Sequence, residues 1–279
     1  MRHRFIPLAL RSLTGLVALA TAPLAMLAAP AHARKVSAVA EVELGFGFGK
    51  SATLGSVTGL TPRLSFFVPF EPGSGLVLQW GLTTALGEAA APVASSGFAL
   101  QNPVLGYRFA LDEHMWFTPS VAIPVATVTT DPNDRPAQTV ASNLGRSTYG
   151  VRELWRYIPD NVSIVAPVHG TLPLDAGMAF VYDAALALAI PTADTDPDID
   201  LIVDLGVAWV FDVFSLGVGL AWIPTNSGDN THWSLRTGVH VPVGDGLFYG
   251  DVTVNLGGQF DSFGDAGVIG ADLGVRFHF

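Results

Sequence analysis

Ile269-Gly270-Ala271-Asp272-Leu273-Gly274-Val275-Arg276-Phe277-His278-Phe279 closes the chain. Read as an extended strand, it puts Ile269, Ala271, Leu273, Val275, Phe277 and Phe279 on one face. Gly270, Asp272, Gly274, Arg276 and His278 fall on the other. The apolar face is unbroken over six positions, which is more than a half-buried strand needs. A barrel with lipid outside and water inside accounts for both faces at once.

The same alternation recurs upstream. It predicts twelve strands at about 38–49, 62–71, 75–85, 97–110, 115–127, 161–170, 176–190, 198–211, 214–223, 231–242, 247–260 and 265–279. Each is near or above the 9–11 residues that a tilted transmembrane strand requires. The links after even strands are short, as at Pro72-Gly73-Ser74 and Asp212-Val213. Those after odd strands are mostly longer, the longest being 128–160. Short periplasmic turns and longer extracellular loops follow, with both ends of the barrel in the periplasm. A count of ten or fourteen results if one hairpin is divided differently. Three upward strands end alike, at Ile123-Pro124, Ile190-Pro191 and Ile223-Pro224. Proline cannot donate to the ladder, so it marks the rim. The expected fold class is therefore all-β, a transmembrane antiparallel up-and-down barrel. A secreted sandwich shows the same alternation, but it would need a partner sheet for Leu273, Val275, Phe277 and Phe279.

The start of the chain agrees. Arg2, Arg4 and Arg11 precede an apolar run from Leu13 to Ala29, and Ala31-His32-Ala33 is a small-x-small cleavage site. We read residues 1–33 as a signal peptide and 34–279 as the barrel. Losing the three leader arginines takes the formal charge from −10 to −13. So acidic a chain is a poor nucleic-acid ligand, and a pore of that charge would favour cations. Hydrophobic residues at 49% with charged ones at 14% fit a lipid-facing exterior. The absence of cysteine excludes disulfides and thiol chemistry. No cofactor is implied. The expected partners are outer-membrane lipid and lipopolysaccharide, with the barrel assembly machinery during biogenesis. The expected state is a monomer.

The inward positions define the candidate pore lining: Glu41, Glu43, Asp200, Asp204, Arg236, His240, Asp251, Asn255 and Arg276. Closure should set Arg276 against Glu41 or Glu43. Folding the hairpin about 244–245 should set Ser234 opposite Asn255 and His240 opposite Tyr249, with Asp251 diagonal to Arg236 and His240. These groups either line a narrow channel or knit into a plug. Trp80, Trp116, Trp209, Trp222 and Trp233 lie near expected strand ends, where aromatic girdles sit. Trp116 has the wrong parity for lipid, which calls for a bulge or a lumenal indole. In the longest loop, Val151, Leu154, Trp155 and Ile158 follow helical spacing. Arg146, Arg152 and Arg156 there are candidates for a constriction if the loop folds inward; otherwise the helix caps the rim. Asp194, Asp196, Asp198 and Asp200 alternate in an acidic loop that lacks the glycine and distal glutamate of an EF-hand, so no metal site is assigned.

His232-Trp233-Ser234 resembles the His-x-Ser motif of outer-membrane phospholipase A and the lipid A deacylase, where His activates Ser. Asn255 would be the third member. The register nonetheless aims His232 and Ser234 at the lumen, away from lipid, so no catalytic residue is assigned.

Two wider resemblances complete the reading. The closing strand, ending on Phe279, resembles the C-terminal signal strand of Gram-negative outer-membrane barrels. Gly97-Phe98-Ala99-Leu100-Gln101-Asn102-Pro103-Val104-Leu105-Gly106-Tyr107-Arg108-Phe109 is similar to the phrase GDPxLGxRYRF of barrels associated with the meta-pathway of phenol degradation, with Gln101-Asn102 in place of its Gly-Asp, and Ala187-Leu188-Ala189-Ile190-Pro191-Thr192 is similar to their LxLPTG strand ending. That resemblance implies passive movement of small hydrophobic or aromatic compounds. The function expected is a channel or passive transporter for small solutes. A structural or adhesive barrel with a filled lumen is the alternative, and a lipid hydrolase the next.

Overall fold

The computed structural model describes residues 37–51, 55–87, 95–126, 131–150, 155–156, 158, 160–174, 177–192, 198–223, 232–256 and 268–279. The expected signal peptide, and Asp194, Asp196, Val151, Arg152 and Leu154, lie outside the described residues.

The strands are β1 (Val39–Ser51), β2 (Gly55–Glu71), β3 (Ser74–Leu86), β4 in two pieces (Ser96–Leu100 and Val104–Ala110), β5 in two pieces (Met115–Phe117 and Ser120–Ala122), β6 (Asn161–Pro173), β7 (Met178–Pro191), β8 (Asp198–Val210), β9 (Ser215–Ile223), β10 (His232–Val243), β11 (Gly246–Leu256) and β12 (Val268–His278). Each pairs antiparallel with its sequence neighbours, and β12 pairs with β1 from Val39↔His278 to Gly49↔Val268. The result is a closed twelve-stranded barrel. Closure leaves no sheet edge, so the ladder needs no water in the hydrocarbon layer.

The alternation acts as the sequence indicates. Val42, Leu78, Leu105, Val121, Ile164, Leu201, Leu220, Leu235, Val252 and Leu273 are exposed on the outer surface. This is the lipid-facing band of an outer-membrane barrel. At the short-turn end the band finishes in aromatic contacts: Phe70–Tyr107, Tyr107–Phe109, Phe211–Phe214 and Phe277–Phe279. At the long-loop end Trp222 stacks on Trp233, with ring centroids 5.6 Å apart. Trp80 departs from the girdle expectation: it sits mid-strand, its Nε1 donating to the Gln101 carbonyl at 3.1 Å.

Two interruptions shape the wall. β2 begins at Gly55, so the first outer link is much shorter than the 50–61 expected. β4 breaks at Gln101-Asn102-Pro103 and β5 at Thr118-Pro119. Each break contains a proline, which cannot donate to a ladder. Neighbouring backbone bonds bridge the gaps, with Tyr107 N donating to Pro119 O at 3.0 Å and Ile123 N to Pro103 O at 2.9 Å.

The longest loop carries helix α1 (Arg135–Thr148). This corrects the expectation of a helix around Val151 to Ile158, where the described residues show only a short 3₁₀ piece at Trp155 and Arg156. Pro136 fits the first turn, which needs no N–H there. Asp131 prepares the entry: its Oδ1 accepts from Asn133 N at 2.9 Å and its carbonyl from Arg135 N at 2.9 Å. Gly150, with φ of 83°, ends the helical stretch in the left-handed conformation that a side chain disfavours.

Candidate functional site

The lumen has two storeys. The outer one is filled. Ala137, Val140, Ala141 and Leu144 form the buried stripe of α1, at i, i+3, i+4 and i+7. They cluster with inward residues of the wall: Val57, Ala85, Ala99, Ala122, Val165, Ala187, Ile202, Ile223 and Val268. The helix lies close because the wall beneath it is glycine. A Cβ on Gly47 would stand 2.7 Å from Leu144 Cδ1, and one on Gly45 would stand 2.6 Å from Thr148 Cγ2. On Gly59 it would strike Leu144, and on Gly97 or Gly270 it would strike the backbone of Ala137 or Thr148. Beyond α1, a Cβ on Gly150 would meet Ser234 Oγ at 2.9 Å. Ser163 Oγ donates to Trp155 O at 3.1 Å. The plug thus spans from the β12–β4 wall through β10 to β6.

Asn102 ties the plug to the barrel. It is fully buried, its Oδ1 accepts from Val125 N at 2.9 Å and Ala126 N at 2.8 Å, and its Nδ2 donates to Ile158 O at 2.9 Å. Its own N–H donates to Arg156 O at 3.0 Å. One amide side chain therefore occupies the break in β4, the end of β5 and the return of the plug. The sequence reading quoted this residue only as part of a family-like phrase.

The inner storey is a cavity of about 560 Å³ running from the periplasmic rim, at Val39 and His278, up to Glu43 and Arg63 beneath the plug. Glu43 and Arg63 close its upper end, and above them lies Tyr149, whose hydroxyl donates to Thr61 O and whose ring covers the Arg63 guanidinium at 4.2 Å. Arg63 in turn pairs with Glu43, both buried. Arg63 was not among the expected pore residues, although its place opposite Glu43 follows once β2 is extended.

Arg276 faces Glu41 across the β12–β1 closure, Nε to Oε2 at 2.9 Å, and the Tyr249 hydroxyl donates to the other Glu41 oxygen. Ser234 stands opposite Asn255 and His240 opposite Tyr249. His240 Nε2 lies 3.6 Å from Asp251 Oδ1. Asp251 also sits directly opposite Asp272, a like-charge pairing that costs energy. Gly238 relieves it: the Asp251 carboxylate leans over the space that a Cβ there would fill, toward His240. Arg236 reaches Asp204, Nη2 to Oδ2 at 3.7 Å. Four arginines and five carboxylates line the cavity, so pairing largely cancels the acidity that the whole chain carries.

Not every expected pore residue reaches this cavity. Asn255 is fully buried, its Nδ2 donating to Val268 O at 3.2 Å. Asp200 lies toward the outer end of β8, opposite Ala187. Arg156 is buried beside Trp155, its guanidinium 5.0 Å from the indole centroid. Arg146 belongs to α1, and its side chain lies outside the described residues. Trp116 is a lumenal indole, stacked on His169 with centroids 4.2 Å apart; no bulge is needed. His232 and Ser234 point inward and are buried beneath the plug.

An outer-membrane channel from Pseudomonas putida F1 shares this fold, with a TM-score of 0.61 at 10% identity over 90% of this chain and 99% of that one. The β domain of the Bordetella autotransporter BrkA gives a TM-score of 0.52 at 10% identity over 86% of this chain and 98% of that one. At such identities the likeness is one of fold. No protein-family profile matches the chain, and no curated protein matches it in sequence. The architecture is that of an outer-membrane β-barrel.

Proposed function

We propose that the chain is an outer-membrane channel for small solutes, closed in the described conformation by α1. One observation carries this reading: a cavity of about 560 Å³ lined by charged side chains opens at the periplasmic rim and stops at a plug that is not a strand of the wall. A barrel that served only as a surface scaffold would have no use for a wet half. The short phrases shared with barrels of the phenol-degradation meta-pathway are consistent with transport, as is the fold shared with the Pseudomonas channel. In this reading residues 1–33 are a removed leader, and the mature barrel works as a monomer in lipid and lipopolysaccharide.

The filled outer storey favours a second reading, a structural or adhesive barrel. Lipid hydrolysis gains no support, because His232 and Ser234 lie under the plug on the side away from lipid.

The test is conductance in a planar bilayer, with the wild type set beside a variant whose residues 131–156 are replaced by a short Gly/Ser linker. The channel reading expects small or intermittent wild-type conductance and a steady, several-fold larger one in the variant. Silence in both, with heat-modifiable gel mobility showing folded barrels, would transfer the assignment to the structural reading.

A further inference from the structure

We infer that the periplasmic cavity holds a binding site for the carboxylate of a small organic acid with a compact apolar body, anchored by Arg108. The inference rests on the solute-handling reading of the same cavity and names its ligand class.

Arg108 stands apart from the other lumenal cations of that cavity. Arg63 pairs with Glu43, Arg276 with Glu41 and Arg236 with Asp204. Arg108, which lines the cavity and is not exposed, makes no ion pair and no hydrogen bond among the described residues; Glu41 acts on it only at longer range, as does the cation Arg276. Its Nε is buried without a partner. Aromatic rings cover it instead: the guanidinium carbon lies 4.5 Å from the Phe67 centroid and 5.4 Å from the Trp116 centroid. Ring faces attract the cation but accept none of its N–H bonds, which radiate in the guanidinium plane. A partly desolvated cation with unmet donors is costly. What answers such a fork is a planar anion, and a carboxylate matches it with two parallel bonds.

The surroundings decide what else the ligand carries. The carboxylates that line the cavity near this wall are engaged. Glu41 accepts from Tyr249 and Arg276, and Asp183 meets His169 Nδ1 at 2.5 Å. Arg108 is thus left as a positive spot in a nearly balanced cavity. Beside it stand Phe67 and Val77 on one side and Trp116, stacked on His169, on the other, with Val181 one strand past His169. The volume falls within the range of small-molecule pockets. A phosphate alone would satisfy the fork and leave those apolar groups without a partner.

The probe is benzoate, titrated calorimetrically against the purified full barrel in detergent micelles. Benzyl alcohol supplies the uncharged comparison and inorganic phosphate the anion without an apolar body. The wild type should bind benzoate at least about tenfold more tightly than benzyl alcohol, a difference of about 1.4 kcal/mol. R108Q should remove that preference, and R108K, which keeps the charge and loses the planar fork, should fall between. Heat-modifiable gel mobility shows whether each variant is folded. Equal benzoate affinity in wild type and folded R108Q would overturn the site, as would absence of benzoate binding to the wild type. Displacement of benzoate by equimolar phosphate would overturn the organic-acid class. Micelle binding is independent of conduction, so a silent channel that still binds benzoate through Arg108 sinks the channel reading and leaves this one standing.

Discussion

The two storeys of the lumen are built from the same alternating strands, yet they hold opposite chemistry. In the outer one, inward positions are mostly Gly, Ala, Val and Ile, with a few buried polar groups such as Ser163, Ser234 and Asn255, and a helix fills the bore as it would fill a soluble core. In the inner one, inward positions carry Glu, Asp, Arg, His and Tyr beside a few apolar groups such as Phe67, Val77 and Trp116, and they leave a cavity. The border is Glu43–Arg63 under Tyr149. The strand period dictates only which face turns inward. Side-chain volume then decides whether that face accepts a helix or water, since a helix backbone approaches a wall only where no Cβ intervenes.

The largest expected effect tests the outer storey. Gly270→Leu puts a branched side chain where the Thr148 backbone rests. The plug then cannot seat, while the strand keeps its ladder. Single-channel conductance should rise several-fold in barrels that retain heat-modifiable mobility. Unchanged conductance would mean that α1 does not close the bore.

The border pair comes next. Glu43→Gln leaves Arg63 buried without the carboxylate it pairs with, which should cost about 3–5 kcal/mol of unfolding free energy in denaturant titrations of the folded barrel. In the wet storey, Glu41→Gln removes the partner of Arg276, which is 40% exposed, and should cost only about 0.2–1 kcal/mol. Equal costs would erase the distinction between a dry border and a wet cavity.

Asn102→Ala strips three side-chain hydrogen bonds from the plug's anchor. The expected loss is about 1–3 kcal/mol, since buried backbone groups are left unmet. Hydrogen exchange should accelerate at Val125 and Ala126. Protection as in the wild type would show that α1 is held by its glycine seat alone.

The smallest effect concerns selectivity. Arg236 is 3.7 Å from Asp204, a loose pair. Arg236→Ala should shift the reversal potential in a salt gradient modestly toward cations. A shift toward anions would contradict the balanced-lumen account.

Most of the wall was legible in advance because strand periodicity is local. Hairpin turns propagate the register, so Ser234 opposite Asn255 could be written down from the turn, and closure narrowed the partner of Arg276 to Glu41 or Glu43, of which the structure selects Glu41. The plug was not legible in the same way. Its buried stripe runs through Ala137, Val140, Ala141 and Leu144, mostly small residues that carry a weak helical signal. Val151, Leu154, Trp155 and Ile158 carry a louder one. The seat that selects α1 is assembled from Gly45, Gly47, Gly59, Gly97 and Gly270, which lie on strands far apart in the chain. Each reads alone as a small inward residue.

The amino-acid sequence by itself determined the all-β barrel, the direction of each face and most of the ladder, because a period of two and short turns need no distant partner. Only the tertiary structure decided that half the bore is closed, that Trp116 faces the lumen and that Arg108 makes no ion pair while Arg63, Arg236 and Arg276 each make one. Those outcomes depend on which side chains from non-neighbouring strands share one volume, and that is set when the barrel closes.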